Sequence, residues 1–83
     1  MDYIKVYVAV IIRVDELKRI TPLSIIYEGR QYDIDKVVAV RRTPPEHVGG
    51  IITHRYDCKI KNEYRSLYHE VDGRWFVEVP LND

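Results

Sequence analysis

Six apolar residues at every second position, Ile4, Val6, Val8, Val10, Ile12 and Val14, constrain this chain more than any other feature. Between them stand Tyr3, Lys5, Tyr7, Ala9, Ile11 and Arg13. β-Branched residues at period two specify a long strand with one dedicated core face. A single strand cannot stand alone, and the whole chain has only 83 residues. A domain that small buries only about 60% of the surface its unfolded chain exposes, so every strand has to join one core. One domain over residues 1–83 is therefore expected.

The rest of the chain is organised around Gly29 to Arg42. This stretch alternates through Tyr32 and Ile34, then runs on as Val37-Val38-Ala39-Val40, which predicts a central strand. Keeping its parity past Ile34 would bury Lys36, so either a bulge falls near Asp35-Lys36 or the strand is covered on both faces from Val37 onward. Before it, Asp15 to Arg19 is too short for a stable helix and reverses the chain. Pro22 marks the edge or the start of the second strand, which puts Leu23, Ile25 and Tyr27 on one face. A loop at Gly29-Arg30 would pair Tyr27 with Tyr32 and Ile25 with Ile34. After it, Thr43 to Gly50 breaks all periodicity with paired prolines and paired glycines and is the longest predicted loop.

Strand four, Ile51 to Ile60, carries Ile52, Tyr56, Cys58 and Ile60 on its core side, with His54 among them. A turn at Asn62-Glu63 would set Ile60 opposite Arg65, Cys58 opposite Leu67 and Tyr56 opposite His69. Arg55, Asp57, Lys59, Lys61, Tyr64, Ser66, Tyr68 and Glu70 then face outward. A three-residue loop, Val71-Asp72-Gly73 with a left-handed glycine, pairs His69 with Trp75 and Leu67 with Val77, and sets Glu70 across from Arg74 as a surface pair. The sum is an all-β antiparallel meander of about six strands, closing as a small SH3-like barrel or a strongly curved sheet, with a two-sheet sandwich as the alternative.

The stretch Arg19 to Ile26, followed by Glu28-Gly29-Arg30, Tyr32, Ile34-Asp35-Lys36-Val37, Arg41, Tyr56 and Asp72-Gly73-Arg74-Trp75-Phe76-Val77-Glu78, resembles the pattern of a group of small uncharacterised bacterial proteins. That group occurs mainly in Firmicutes and their mobile elements, and some members are encoded near lesion-bypass DNA polymerases. The resemblance implies a link to DNA metabolism. It implies no activity and assigns no functional residue.

The residues themselves point away from catalysis. His47, His54, His69 and Cys58 are metal-ligand types, but no CxxC or HxxxH pairing joins them, so no metal or other cofactor is expected. Cys58 falls mid-strand on the core side, where a thiol is an apolar filler with a raised pKa. Ser24 and Ser66 are strand residues without a base beside them, and Gly49-Gly50 lacks the strand-to-helix context of a phosphate loop. Asp33 and Asp35 read as solubilising residues beside Lys36.

Two surfaces remain. On the outer face of strands four and five, Arg55, Lys59, Lys61, Tyr64 and Tyr68 interleave cations with rings, as single-strand nucleic-acid platforms do. Acidic and basic residues balance at 13 each, which opposes strong non-specific binding. On strand one, Tyr3, Tyr7, Ala9 and Ile11 give the second face more apolar surface than a solvated strand carries, so a protein partner or a second copy is expected to cover it. A protein-interaction module is the leading expectation and weak nucleic-acid binding the alternative. The longest apolar run, Val6 to Ile12, is too short to span a bilayer, and a single cysteine permits no internal disulfide. A cytoplasmic protein with a reduced thiol is the corresponding expectation.

Overall fold

The structure is a computed structural model that describes residues 3–43 and 53–81. Of the predicted loop Thr43 to Gly50, Thr43 instead ends a strand, and residues 44–50 with His47, like the predicted start of strand four at Ile51 and Ile52, lie outside the described residues.

The chain forms β1 (Tyr3–Val14), β2 (Ile20–Tyr27), β3 (Arg30–Asp33), β4 (Lys36–Thr43), β5 (Thr53–Ile60), β6 (Glu63–Glu70) and β7 (Trp75–Pro80). All neighbours are antiparallel, in one strongly curved half-barrel sheet of order β3-β2-β1-β7-β6-β5-β4. Seven strands replace the expected six because the Gly29–Arg42 stretch divides. β3 lies at one end of the order and β4 at the other, so this stretch is not a central strand. It carries the chain between the two ends. At the crossing, Ile34 N–H donates to Leu23 O at 2.9 Å and the next residue, Asp35, donates to Lys59 O at 2.8 Å. A bulge does form, but at Val38, between the Val37–Cys58 and Ala39–Asp57 pairs. Val38 and Val40 are exposed, so the apolar run is covered on one face at most.

β1 is shared. Its first half, Tyr3 to Val8, pairs with β7, and its second half, Ala9 to Val14, with β2. At about 3.3 Å per residue a strand of this length outruns the core of a small domain. Only Val6, Val8 and Val10 of the apolar stripe are partly buried, whereas Ile4, Ile12 and Val14 are exposed. Pro22 is not the strand start, but it does lie at a local edge, since β3 pairs only with Ser24 to Tyr27 and leaves the side of β2 away from β1 without a ladder partner at Pro22 among the described residues. It sits opposite Ile12 at a register shift that leaves Leu23 exposed and without a partner on β1, and a local edge is where a strand tolerates a residue without an N–H.

The core is Ile25, Tyr56, Cys58, Ile60, Leu67 and Trp75, with Val8, Val10, Ile20, Tyr32, Ile34, Val37 and Val77 packed against it. Val10, Ile25 and Tyr32 form one row across β1, β2 and β3. Two hairpins turn one residue earlier than expected, at Glu28-Gly29 and at Lys61-Asn62, all four residues with positive φ. Such turns match the right-handed twist of the flanking strands. The shift moves each register by two residues and preserves parity, so the core and outer faces keep their expected members. The last loop is Val71-Asp72-Gly73, with φ of 96° at Gly73 and Glu70 paired to Arg74.

Asp15 holds the first reversal by accepting from Leu17 N–H and Arg19 N–H, each at 2.9 Å. Asp33 and Asp35 are structural rather than solubilising. Asp33 Oδ1 accepts from Ser24 Oγ at 2.8 Å, and Asp35 Oδ2 accepts from Lys61 N–H at 2.9 Å, which ties the β5–β6 turn to the crossing.

Candidate functional site

A second, smaller cluster lies on the opposite side of the sheet from the core. Phe76 is buried there, stacked on Tyr68 with centroids 4.8 Å apart and met edge-on by Tyr7 at 5.9 Å. Beside it Glu70 is 1% exposed. Its carboxylate accepts from the Tyr7 hydroxyl at 3.0 Å and from Lys5 Nζ at 3.1 Å, while Arg74 stands 3.5 Å away. Glu70 and Arg74 do pair as the sequence predicts, but Glu70 is buried, so the pair is not a surface one. The carboxylate is the buried polar centre of a cluster joining β1, β6 and the last loop, whose other polar members, Lys5, Tyr7 and Arg74, stay about half exposed. Its burial was missed because it depends on β7 inserting between β1 and β6, which no local pattern reveals.

From this anchor the two last strands part. Glu70 N–H donates to Arg74 O at 2.8 Å, and the ladder continues only through His69–Trp75 and Tyr68–Phe76. In an antiparallel pair the backbone groups point alternately to either side. The Glu70 bond thus aims the backbone of Ser66 and Tyr64 at β7, and that of Glu78 at β6. No ladder pair joins them among the described residues. The expected Leu67–Val77 pair is absent for the same reason.

A groove of about 730 Å³ opens where the strands separate. Val8, Ile25, Ile60 and Val77 contribute apolar lining. Of the chain's seven tyrosines, five line it, namely Tyr3, Tyr27, Tyr32, Tyr64 and Tyr68. Lys61 and Arg65 stand on one wall and Glu78 on the other. Arg65 is held by Glu63 at 2.6 Å, whereas the Lys61 ammonium forms no ion pair among the described residues and lies 5.8 Å from the centre of the Tyr32 ring, with Asp35 bound to the Lys61 backbone N–H. Burial, then the adjacent Glu78, raises the pKa of Tyr68. A signal for the groove existed in sequence, the number of tyrosines flanking turns, but its use depended on the parting of β6 and β7.

The structure brings the predicted outer-face residues together. Arg55 pairs across from Tyr68 and Lys59 from Tyr64, with Lys61 in the adjoining turn. Their chemistry is uneven. Arg55 and Arg41 both lie 3.1 Å from Asp57, which offsets their charge. The Arg55 contact is close but poorly aligned, leaving Nε–H without an acceptor among the described residues. Tyr68 has one ring face on Phe76. Tyr64 is 71% exposed with Lys59 Nζ 5.7 Å from its centre. On β1, Tyr7 is engaged by Glu70, Phe76 and the Arg74 guanidinium. Tyr3 lines the groove. Ala9 and Ile11 are exposed opposite Ile26 and Ser24.

Cys58 is fully buried, donates to Tyr56 O at 3.5 Å, and has its pKa pushed by burial, then by Asp57, from 9.0 to about 11. His54 and His69 face each other across β5 and β6, and His69 stacks on Trp75 at 4.0 Å. No cluster of three or more metal-ligating side chains occurs among the described residues, nor any helix long and apolar enough to cross a membrane. The chain matches no family model, no curated protein and no solved structure.

Proposed function

We propose that this chain is a non-enzymatic protein-interaction module that receives a protein partner in the groove between β6 and β7. The observation that carries this reading is the concentration of five of seven tyrosines around one apolar-lined opening. Tyrosine combines a large apolar ring with a wet hydroxyl and little rotamer entropy, which is why it recurs at recognition surfaces. The test is selection from a random peptide library on the immobilised chain. Enriched peptides should lose most of their binding to a Tyr3→Ala, Tyr64→Ala double variant. No enrichment, or equal binding to the variant, would remove the reading.

One observation favours a second reading, weak single-stranded nucleic-acid binding. Tyr64 is the most open ring of the face and has Lys59 beside it, so base stacking and phosphate contact fall within one side chain's reach. Asp57, Glu63 and Glu78 oppose it. Salt titration of oligonucleotide binding decides: Lys59→Ala should lower the slope by about 0.7, while Tyr64→Ala lowers affinity at constant slope. No binding at low salt removes this reading.

A further inference from the structure

The groove is bordered by two strand edges that have no ladder partner among the described residues. The backbone of Tyr64 and Ser66 on β6, and of Glu78 on β7, points into the gap without ladder pairs among the described residues. Alternating N–H and C=O groups along an edge are matched by one kind of ligand, another extended backbone. Side-chain placement adds the sequence character of that backbone. One side of an entering strand would meet Ile60, Ile25, Val8 and Val77, the other the rings of Tyr64, Tyr68 and Tyr3. Charge supplies direction. The Lys61 ammonium, which forms no ion pair among the described residues although Asp35 binds the Lys61 backbone N–H, stands at the start of β6, and the Lys59 ammonium beside it forms none there either. Glu78, the acid on the facing wall, lies farther along the groove beside Tyr68. A strand running antiparallel to β6 ends beside Lys61, so its C-terminal flank meets the ammonium groups of Lys61 and Lys59, while Asp35 is engaged by the Lys61 backbone and Glu63 by Arg65.

Resting on the interaction reading above, we infer that the partner segment is an extended peptide with apolar residues at alternate positions and an acidic C-terminal flank, added as a strand to the free edge of β6. Strand addition of this kind draws affinity from main-chain hydrogen bonds and specificity from pockets for every second side chain. The antiparallel sense is the commoner one for paired strands.

Two variants of the full chain test the inference with the enriched peptides. Ser66→Pro deletes the N–H that faces the groove while leaving the β5 ladder, which uses the other edge positions of β6, intact. It should weaken binding about tenfold, the worth of one or two main-chain hydrogen bonds. Lys61→Glu, in an exposed turn, should weaken peptides with acidic ends several-fold, and the loss should shrink at high salt. Circular dichroism confirms that each variant folds, and Lys61→Glu keeps the test valid if Ser66→Pro does not. Peptides with period-two apolar patterns and acidic C-terminal ends, sensitive to these variants, support strand addition. Peptides without that pattern, bound equally well by both variants but lost on the tyrosine double variant, would overturn strand addition and leave the groove as a side-chain docking site. Peptides indifferent to the tyrosine variant overturn both.

Discussion

The Tyr7 hydroxyl donates to Oε1 of Glu70 at 3.0 Å across a strand that separates their own. Tyr7 and Lys5 come from β1, Glu70 from β6, and β7 runs between them carrying Phe76. This small polar cluster closes the end of the sheet at which the β6–β7 ladder survives, and the groove begins where its reach ends. Tyr7→Phe keeps the edge-on ring contact with Phe76 and removes one donor from a buried carboxylate. It should cost about 1.5–3 kcal/mol, the range for a hydrogen bond to a charged group. Urea denaturation followed by Trp75 fluorescence measures it. A loss below a few tenths of a kcal/mol would mean that Lys5 and Arg74 alone satisfy Glu70.

Gly73 closes the last loop with φ of 96°. A Cβ built there meets nothing within 4 Å, so any penalty for Gly73→Ala is conformational rather than steric. A side chain in the left-handed region costs about 1–2 kcal/mol. The urea midpoint should fall accordingly, with an unchanged slope. A neutral Gly73→Ala would show that the loop relaxes to a different turn.

That loop was legible from sequence because only one register keeps Leu67 and Trp75 on the same side. The β5 and β6 faces were legible for the same reason, since parity alone assigns Cys58, Ile60 and Leu67 inward and Lys59, Tyr64 and Tyr68 outward. Turn positions were less so. A two-residue turn with two left-handed positions places its glycine or asparagine second, which fixes Glu28-Gly29 and Lys61-Asn62. Placing Gly29 first shifted the register by two. The Val37–Val40 run misled more deeply, because apolar content reports burial only when the neighbours are known. At an end of the strand order, with a bulge at Val38, half of it faces outward. The groove and the burial of Glu70 both depend on long-range order of strands, which periodicity does not encode.

His69 stacks on Trp75, and burial, then the proximity of His54, lowers its pKa from the usual 6.5. The unfolded chain therefore takes up this proton at a higher pH than the folded one. Stability is full above about pH 6.5 and falls as pH drops through and below it. Urea midpoints between about pH 7.5 and about pH 5 should decline, and His69→Gln should flatten the profile. Equal slopes in both proteins would place the titration elsewhere.

Cys58 gives the opposite sign. Its thiol is held neutral, with the folded pKa at about 11 against 9.0 for the exposed group, so the folded state keeps a proton that the unfolded chain releases. Stability that is complete below about pH 9 is lost as pH rises toward about 11. At neutral pH a thiol reagent should modify the native protein only as fast as it opens, and at once in denaturant. Rapid native labelling would show that the β4–β5 end of the sheet opens far more readily than its packing indicates.

Ile11 provides the test of association between copies. With Tyr7 committed to Glu70 and Phe76, and Tyr3 in the wall of the groove, Ile11 and Ala9 are the candidate β1 residues left free on that face. Two copies that cover these residues bury side chains that a monomer leaves in water, at about 25 cal/mol for each Å² removed. The wild type is then expected to sediment as a dimer at high concentration, and Ile11→Lys as a folded monomer, since an exposed strand position accepts lysine with a change in stability within about 0.5 kcal/mol. Tyr7→Lys would be the wrong probe, because it breaks the Glu70 cluster and confounds dissociation with unfolding. A wild type that sediments as a monomer at every concentration removes self-association through β1 and leaves the groove untouched, because the free edges of β6 and β7 lie on strands that Ile11 does not contact through any ladder.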